Sequence, residues 1–285
     1  MVQQKVKYTD TERTPAERAR ALLEEMTLDE KMAQLGCIFP FGDSYDDMEQ
    51  QALEMPYGIG QVSTLEMRRI GTLEEAAGWQ RKMQETVMRQ SPHHIPAIFH
   101  MEGLCGAFIQ EGTSFPSGIA RGSGWDPELE EKIAKVVAKQ EAACGITHIL
   151  APVLDISRDS RMGRQGETYG EDPALAAALG AAYTKGIQTT EAGGRRPESV
   201  AKHFLGFHNS QGGIHGTNSD TPSRLMEEIY GKPFQSAISE SELKGSCPVI
   251  ILSMASRLPF HTGCSRNFSE KRWGLTVCVS ATTAH

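Results

Sequence analysis

No Cys-x-x-Cys pair occurs among the six cysteines, which stand at 37, 105, 144, 247, 264 and 278. The spacing that builds a zinc site or a dithiol redox centre is therefore missing, and free thiols in a cytoplasmic protein are expected. No apolar run approaches the roughly 20 residues of a membrane span. The opening stretch MVQQKVKYTDTERTPAERAR has no apolar segment of the kind a secretion signal needs. An excess of positive charge is lacking as well. The formal net charge is -7 and the pI is near 5.8, which argues against nucleic acid or an anionic membrane as partner. Such a composition suits a small neutral substrate.

What is present is material for a core. Of 285 residues, 39% are hydrophobic and 23% charged, enough for one large domain or two small ones. Thr14-Pro15-Ala16-Glu17 is a capping box with proline at the first helical position. It predicts a helix with Ala19, Leu22, Leu23 and Met26 on one face. Thr27-Leu28-Asp29-Glu30 repeats the device and predicts a second helix through Leu35, followed by a polar stretch. GIGQVSTL (58–65) reads as a strand and 73–90 as a helix. Further helices are predicted over 126–145 and 172–189. IPAIFHMEG (95–103), THILAPVLD (147–155) and ESVAKHFLGF (198–207) are apolar runs that end in polar groups. Strand, polar-tipped loop and helix repeat in turn, which predicts an α/β fold built on a parallel sheet or barrel.

In a barrel the ends of these runs converge on one mouth. They carry Glu102, Asp155, and Lys202 with His203. Each has a plainer account taken singly: a helix-capping acid for Glu102, a solvated edge charge for Lys202. For His100, a place in the core is preferred. Together they call for partners, because a buried lysine and acid are costly unpaired. The densest segment is DISRDSRMGRQGETYGEDP (155–173), with Arg158, Arg161 and Arg164 among Asp155, Asp159, Glu167, Glu171 and Asp172. Mixed signs favour an ordered ion-pair network, and Arg164 alone is singled out as a ligand contact.

The stretches MTLDEKMAQL (26–35), FPSGIARGSGWDPEL (115–129), RDSRMGRQGETYGEDP (158–173) and AKHFLGF (201–207) resemble the N-terminal domain of glycoside hydrolase family 3. That resemblance runs in order from about Arg18 to about Lys244. It implies a TIM-like (β/α)8 barrel and hydrolysis of terminal β-linked glucose or xylose with retention. It implies no organic cofactor and no metal. An aspartate attacks the anomeric carbon and a second acid protonates the leaving oxygen, the two carboxyls about 5–5.5 Å apart. By motif match, Glu102 falls where the family has an acid that grips a sugar hydroxyl. Arg164, Lys202 and His203 match its other sugar-binding residues. The partner implied is a β-glycoside or short oligosaccharide, and a homo-oligomer is left open. Ser160 and Met162 stand where proline and tryptophan are usual. LGFHNSQGGIHGTNSD lacks the Asp-Ser-His triplet of the hexosaminidase branch, and a glutamate at 102 leans toward xylosides.

The last segment departs from the family. A strand is expected over Leu275 to Val279, where the family carries its nucleophile, yet Ser280-Ala281-Thr282 follows with no aspartate. No catalytic residue is assigned in this chain. The expectation is a change of reading frame near Gly245, with residues 1–245 forming the barrel domain and 246–285 an irregular or partly docked tail. Read one nucleotide back, Met254-Ala255 forces a glycine codon and Trp273-Gly274 forces another. The run from Trp273 to His285 then permits the family's nucleophile strand. On that reading the barrel is incomplete, and the chain is an inactive remnant or a sugar-binding module.

Overall fold

The computed structural model describes residues 7–42, 44–248, 252–253 and 278–279. The chain divides into two compact units, one of Met1–Val62 with Lys82–Ala97 and one of Ser63–Arg81 with Ile98–His285.

The first unit begins with helices α1 (Pro15–Glu25) and α2 (Leu28–Ala33), each opened by the capping box expected of it. Thr14 accepts from the Glu17 N–H and Thr27 from the Glu30 N–H, and each glutamate returns the bond. The expected apolar face of α1 is only partly buried. Met26 is buried, but Leu23 is 52% exposed and Ala21 takes the inner place instead. Strand β1 (Cys37–Ile38) follows. Helix α3 (Tyr45–Leu53) occupies the stretch expected to be merely polar. Ser44 and Asp47 form a third capping box there. Strand β2 (Gln61–Ser63) lies parallel to β1, with Cys37 opposite Gln61 and Ile38 opposite Val62. Helix α4 (Leu73–Gln90) brings Lys82 against Asp46 and Glu49, and Thr86 against Glu49.

In the second unit, strand β3 (Ile98–Met101) leads through the short helix α5 (Gly118–Gly122) to α6 (Pro127–Ala143) and strand β4 (His148–Ile149). Helix α7 (Pro173–Gln188), capped by Asp172, precedes strand β5 (Glu198–Phe204). Then come β6 (Asn218–Ser219), the single turn α8 (Ser223–Leu225) and α9 (Lys232–Ser241). Strands β7 (Gly245–Pro248), β8 (Leu252–Ser253) and β9 (Cys278–Val279) complete the described elements. Strands β3, β4, β5, β7 and β9 lie side by side in that order, all parallel. This is the wall of a (β/α)8-type barrel, incomplete among the described residues. Parallel neighbours joined by helices bury both sheet faces. Ile149 and Ala151 pack on α6 and α7 through Ile133, Val137, Tyr183 and Ile187, whereas Leu150 and Val200 pack with Cys247 on the opposite face. Helices α6 and α7 approach closely, since a Cβ at Gly186 would lie 2.6 Å from that of Ala134.

The apolar run 147–155 is regular strand only over its first residues. Pro152, after a cis peptide bond, has no N–H for the ladder. The contact with β5 continues irregularly, with Lys202 N–H donating to the Pro152 carbonyl (3.0 Å) and Leu154 N–H to that of Lys202 (2.7 Å). Of the strand expected over 275–279, Cys278 and Val279 are in β9. The rest of it, and most of the tail from 249 onward, lies outside the described residues.

Candidate functional site

Glu102, Lys202 and His203 lie at the C-terminal ends of β3 and β5, and Asp155 and Arg164 in the segment that follows β4, the edge where barrel enzymes work. Glu102 directly follows β3. Its Oε2 accepts a hydrogen bond from Lys202 Nζ, one strand further on than β4. The ammonium group is buried, with 5% of the Lys202 side chain exposed, while Glu102 keeps 29%. His203, next along β5, has its Nδ1 2.7 Å from Asp155 Oδ2, and its own backbone N–H donates to the same oxygen at 3.1 Å. Its Nε2 lies 3.2 Å from Arg164 Nη2. The structure thus gathers Glu102, Arg164, Lys202 and His203, the four residues named from the sequence, at one place. The sequence left out Asp155 as a partner of His203.

Arg164 sits in the loop after β4, between two single turns of 3-10 helix (Ser160–Met162 and Gln165–Glu167). Its Nε and Nη2 donate to the two oxygens of Glu167 at 2.6 and 2.8 Å, a fork on a carboxylate. Burial pushes the Glu167 carboxyl up, but the hydrogen bonds and charge of Arg164, with the charge of Lys202, outweigh it and hold the group below its ordinary range. The guanidinium also lies over the Phe207 ring, 5.2 Å from its centre, and the His203 ring stands 4.5 Å from the same phenyl. His215 meets that phenyl edge-on at 4.7 Å, and burial lowers its proton affinity.

The ordered ion pairs expected over 155–173 are present as separate local contacts. Arg161 binds Asp159 at the surface, Arg164 binds Glu167, and Asp172 caps α7. The reason is the chain's own geometry: tight turns bring residues two or three apart together before distant ones. His100 is buried within the sheet, as preferred for it, and burial lowers its pKa to about 4.

The unused bonding capacity is what gives this cluster a chemistry. Arg164 Nη1, two protons of Lys202 Nζ and Glu102 Oε1 meet no partner among the described residues. Donors and an acceptor fixed on strand ends can take vicinal hydroxyls of a neutral ligand. Among the described residues no group of three His, Cys, Asp or Glu side chains is placed to hold a metal ion. None of the described helices is long and apolar enough to cross a membrane.

Parallel strand–helix repeats with a charged cluster at their C-terminal ends define a domain of the TIM-barrel class. Residues 27–255 match the family model described as the glycosyl hydrolase family 3 N terminal domain, and the chain belongs to that family. A β-xylosidase of Formosa agariphila is 35% identical over 163 residues, which is 54% of this chain and 22% of that protein. A periplasmic β-glucosidase of Salmonella typhimurium is 28% identical over 76% of this chain and 27% of its own length. Among solved structures, a β-glucosidase of Erythrobacter marinus superposes with a TM-score of 0.83 at 28% identity, covering 96% of this chain and 37% of that one. A β-glucosidase of Listeria innocua in complex with laminaribiose shares the fold, with a TM-score of 0.77 at 22% identity over 94% of this chain and 37% of its own. The chain thus spans well under half the length of each.

Proposed function

We propose that this domain binds the terminal, non-reducing sugar of a β-glucoside or β-xyloside, and that the activity it serves is retaining hydrolysis of that bond. Glu102, Arg164, Lys202 and His203 form the sugar-binding group on this reading, with both ring nitrogens of His203 facing Asp155 and Arg164. The observation that carries it is the unused bonding capacity of Glu102, Lys202 and Arg164 at one strand-end cluster. Relatives are named β-xylosidase and β-glucosidase, and a mutant of the Listeria protein is in complex with laminaribiose. Glu102 and Lys202 would take neighbouring hydroxyls, with Arg164 Nη1 beside them, and orient the ring for attack at its anomeric carbon. The free thiols of Cys105 and Cys144 suit a cytoplasmic setting.

A second reading, sugar binding without turnover, is favoured by one fact of the sequence. From Gly245 to His285 there is no aspartate, and Glu270 is the sole acid. Serine and threonine without a neighbouring base are poor nucleophiles. Two measurements separate the readings. Release of nitrophenol from aryl β-glucosides and β-xylosides by the purified 285-residue chain supports the first. Calorimetric binding of glucose or xylose without turnover supports the second. Absence of both overturns the assignment of the site. The coding DNA bears on the tail directly: codons for Ala281 and Thr282 that yield no Asp codon across their junction would end the frame-change reading.

A further inference from the structure

Asp155 has 1% of its side chain exposed and spends one oxygen, Oδ2, on a single neighbour. That oxygen accepts from the backbone N–H of His203 at 3.1 Å and faces its Nδ1 at 2.7 Å. The other ring nitrogen, Nε2, faces Arg164 Nη2 at 3.2 Å. A guanidinium carries donors only. Nε2 must therefore accept, and the ring proton resides on Nδ1, where it is donated to Asp155. We infer that Asp155 is a positioning residue: it fixes His203 as the neutral Nδ1–H tautomer and thereby turns Arg164 so that Nη1 is the edge left for a ligand.

Each link in that relay constrains the next. The doubled bond to Asp155 sets both the main chain and the ring of one residue, so the imidazole cannot rotate without losing a buried acceptor. Phe207 bounds the same ring at 4.5 Å and lies under the guanidinium at 5.2 Å. Glu167 takes Nε and shares Nη2. His203 then meets the protein as an acceptor at Nε2, and its part in recognition is exerted through Arg164. Were the proton on Nε2 instead, two N–H groups would point at each other and Arg164 would be displaced.

The tautomer stands on geometry alone, while its consequence for a sugar rests on the proposed function above. The test keeps the two apart. The full chain, labelled with 15N at its nine histidines, is examined by long-range proton–nitrogen correlation, with His203→Gln identifying the signal. The expected spectrum has a protonated Nδ1 and an unprotonated Nε2 at His203. In Asp155→Ala and Asp155→Asn that pattern changes, with Nε2 gaining the proton in part or whole. The Kd for xylose or glucose, measured by calorimetry, is expected to rise about 10- to 100-fold, the range seen at metal sites when a carboxylate that orients a ligating histidine is removed. A wild-type His203 protonated at Nε2 overturns the inference whether or not any sugar binds. So does a folded Asp155→Ala chain with the wild-type tautomer. An altered tautomer with unaltered sugar affinity keeps the first half of the inference and removes the second.

Discussion

Lys202 and Glu102 lie one hundred residues apart in the chain and share a hydrogen bond at the ends of β5 and β3. Their burial is unequal, 5% against 29% exposed, so the pair breaks asymmetrically. Glu102→Ala leaves a buried ammonium without its hydrogen-bonded counter-charge, which costs about 3–5 kcal/mol. Lys202→Met leaves a carboxylate that water can reach, and the loss is smaller. Urea unfolding of both variants checks the order. Equal losses, or a larger one for Lys202→Met, would contradict it.

A second buried pair is expected to matter for stability and not for ligand. Arg121 Nε binds both oxygens of Glu130 at 3.1 and 2.9 Å, with the side chains 7% and 2% exposed. Tyr169 donates to the same Glu130 at 2.6 Å. Glu130→Ala should cost about 3–5 kcal/mol and Tyr169→Phe about 1 kcal/mol. Asp159→Ala, which opens the surface pair with Arg161 (side chains 30% and 69% exposed), should shift the unfolding midpoint little, because water screens such a pair.

Acid should destabilise the fold through His100. Burial first, then the positive charges of His148 and Lys202, lower its pKa from 6.5 to about 4. Between those values the unfolded chain binds a proton that the folded chain does not. The stability tied to this group is complete above pH 6.5 and is lost as pH falls toward 4, on the order of 3 kcal/mol in all. Unfolding free energies measured across that window should slope in the wild type and slope less in His100→Gln.

Glu141 on α6 should act in the opposite sense. Both its carboxyl oxygens are buried without a hydrogen-bond partner among the described residues. Burial, and then the charge of Glu102, push its proton affinity well above 4.5. Here the folded chain holds the proton more tightly, so the associated stability is full below pH 4.5 and declines as pH rises. Glu141→Gln mimics the protonated acid and should flatten that decline. A variant with an unchanged profile above pH 5 would show that Glu141 does not titrate there.

Much of this was legible because its causes are local. Thr14 with Glu17, Thr27 with Glu30, and the 3.6-residue pattern over 73–90 each specify a helix within one or two turns of chain. Ser44 and Asp47 carry the same signal for α3, masked by polar neighbours on either side. The gathering of Glu102, Lys202, His203 and Arg164 was legible because a parallel barrel fixes which strand ends meet. The pairing of Asp155 with His203 was not, because it joins residues 48 apart through a ring orientation that no sequence period encodes. The shortness of β4 follows from Pro152, which interrupts the ladder however apolar its surroundings.

Counted formally, the cluster holds two cations, Arg164 and Lys202, against three carboxylates, Glu102, Asp155 and Glu167, with His203 uncharged. On the proposed function, an excess of one negative charge would disfavour uronic acids and sugar phosphates, because the net field of the cluster opposes an added anion even where Arg164 and Lys202 keep donors to offer. It also favours any ring on which positive charge accumulates. The discrimination between neutral and acidic sugars would thus be inherited from how the cluster balances its own charges.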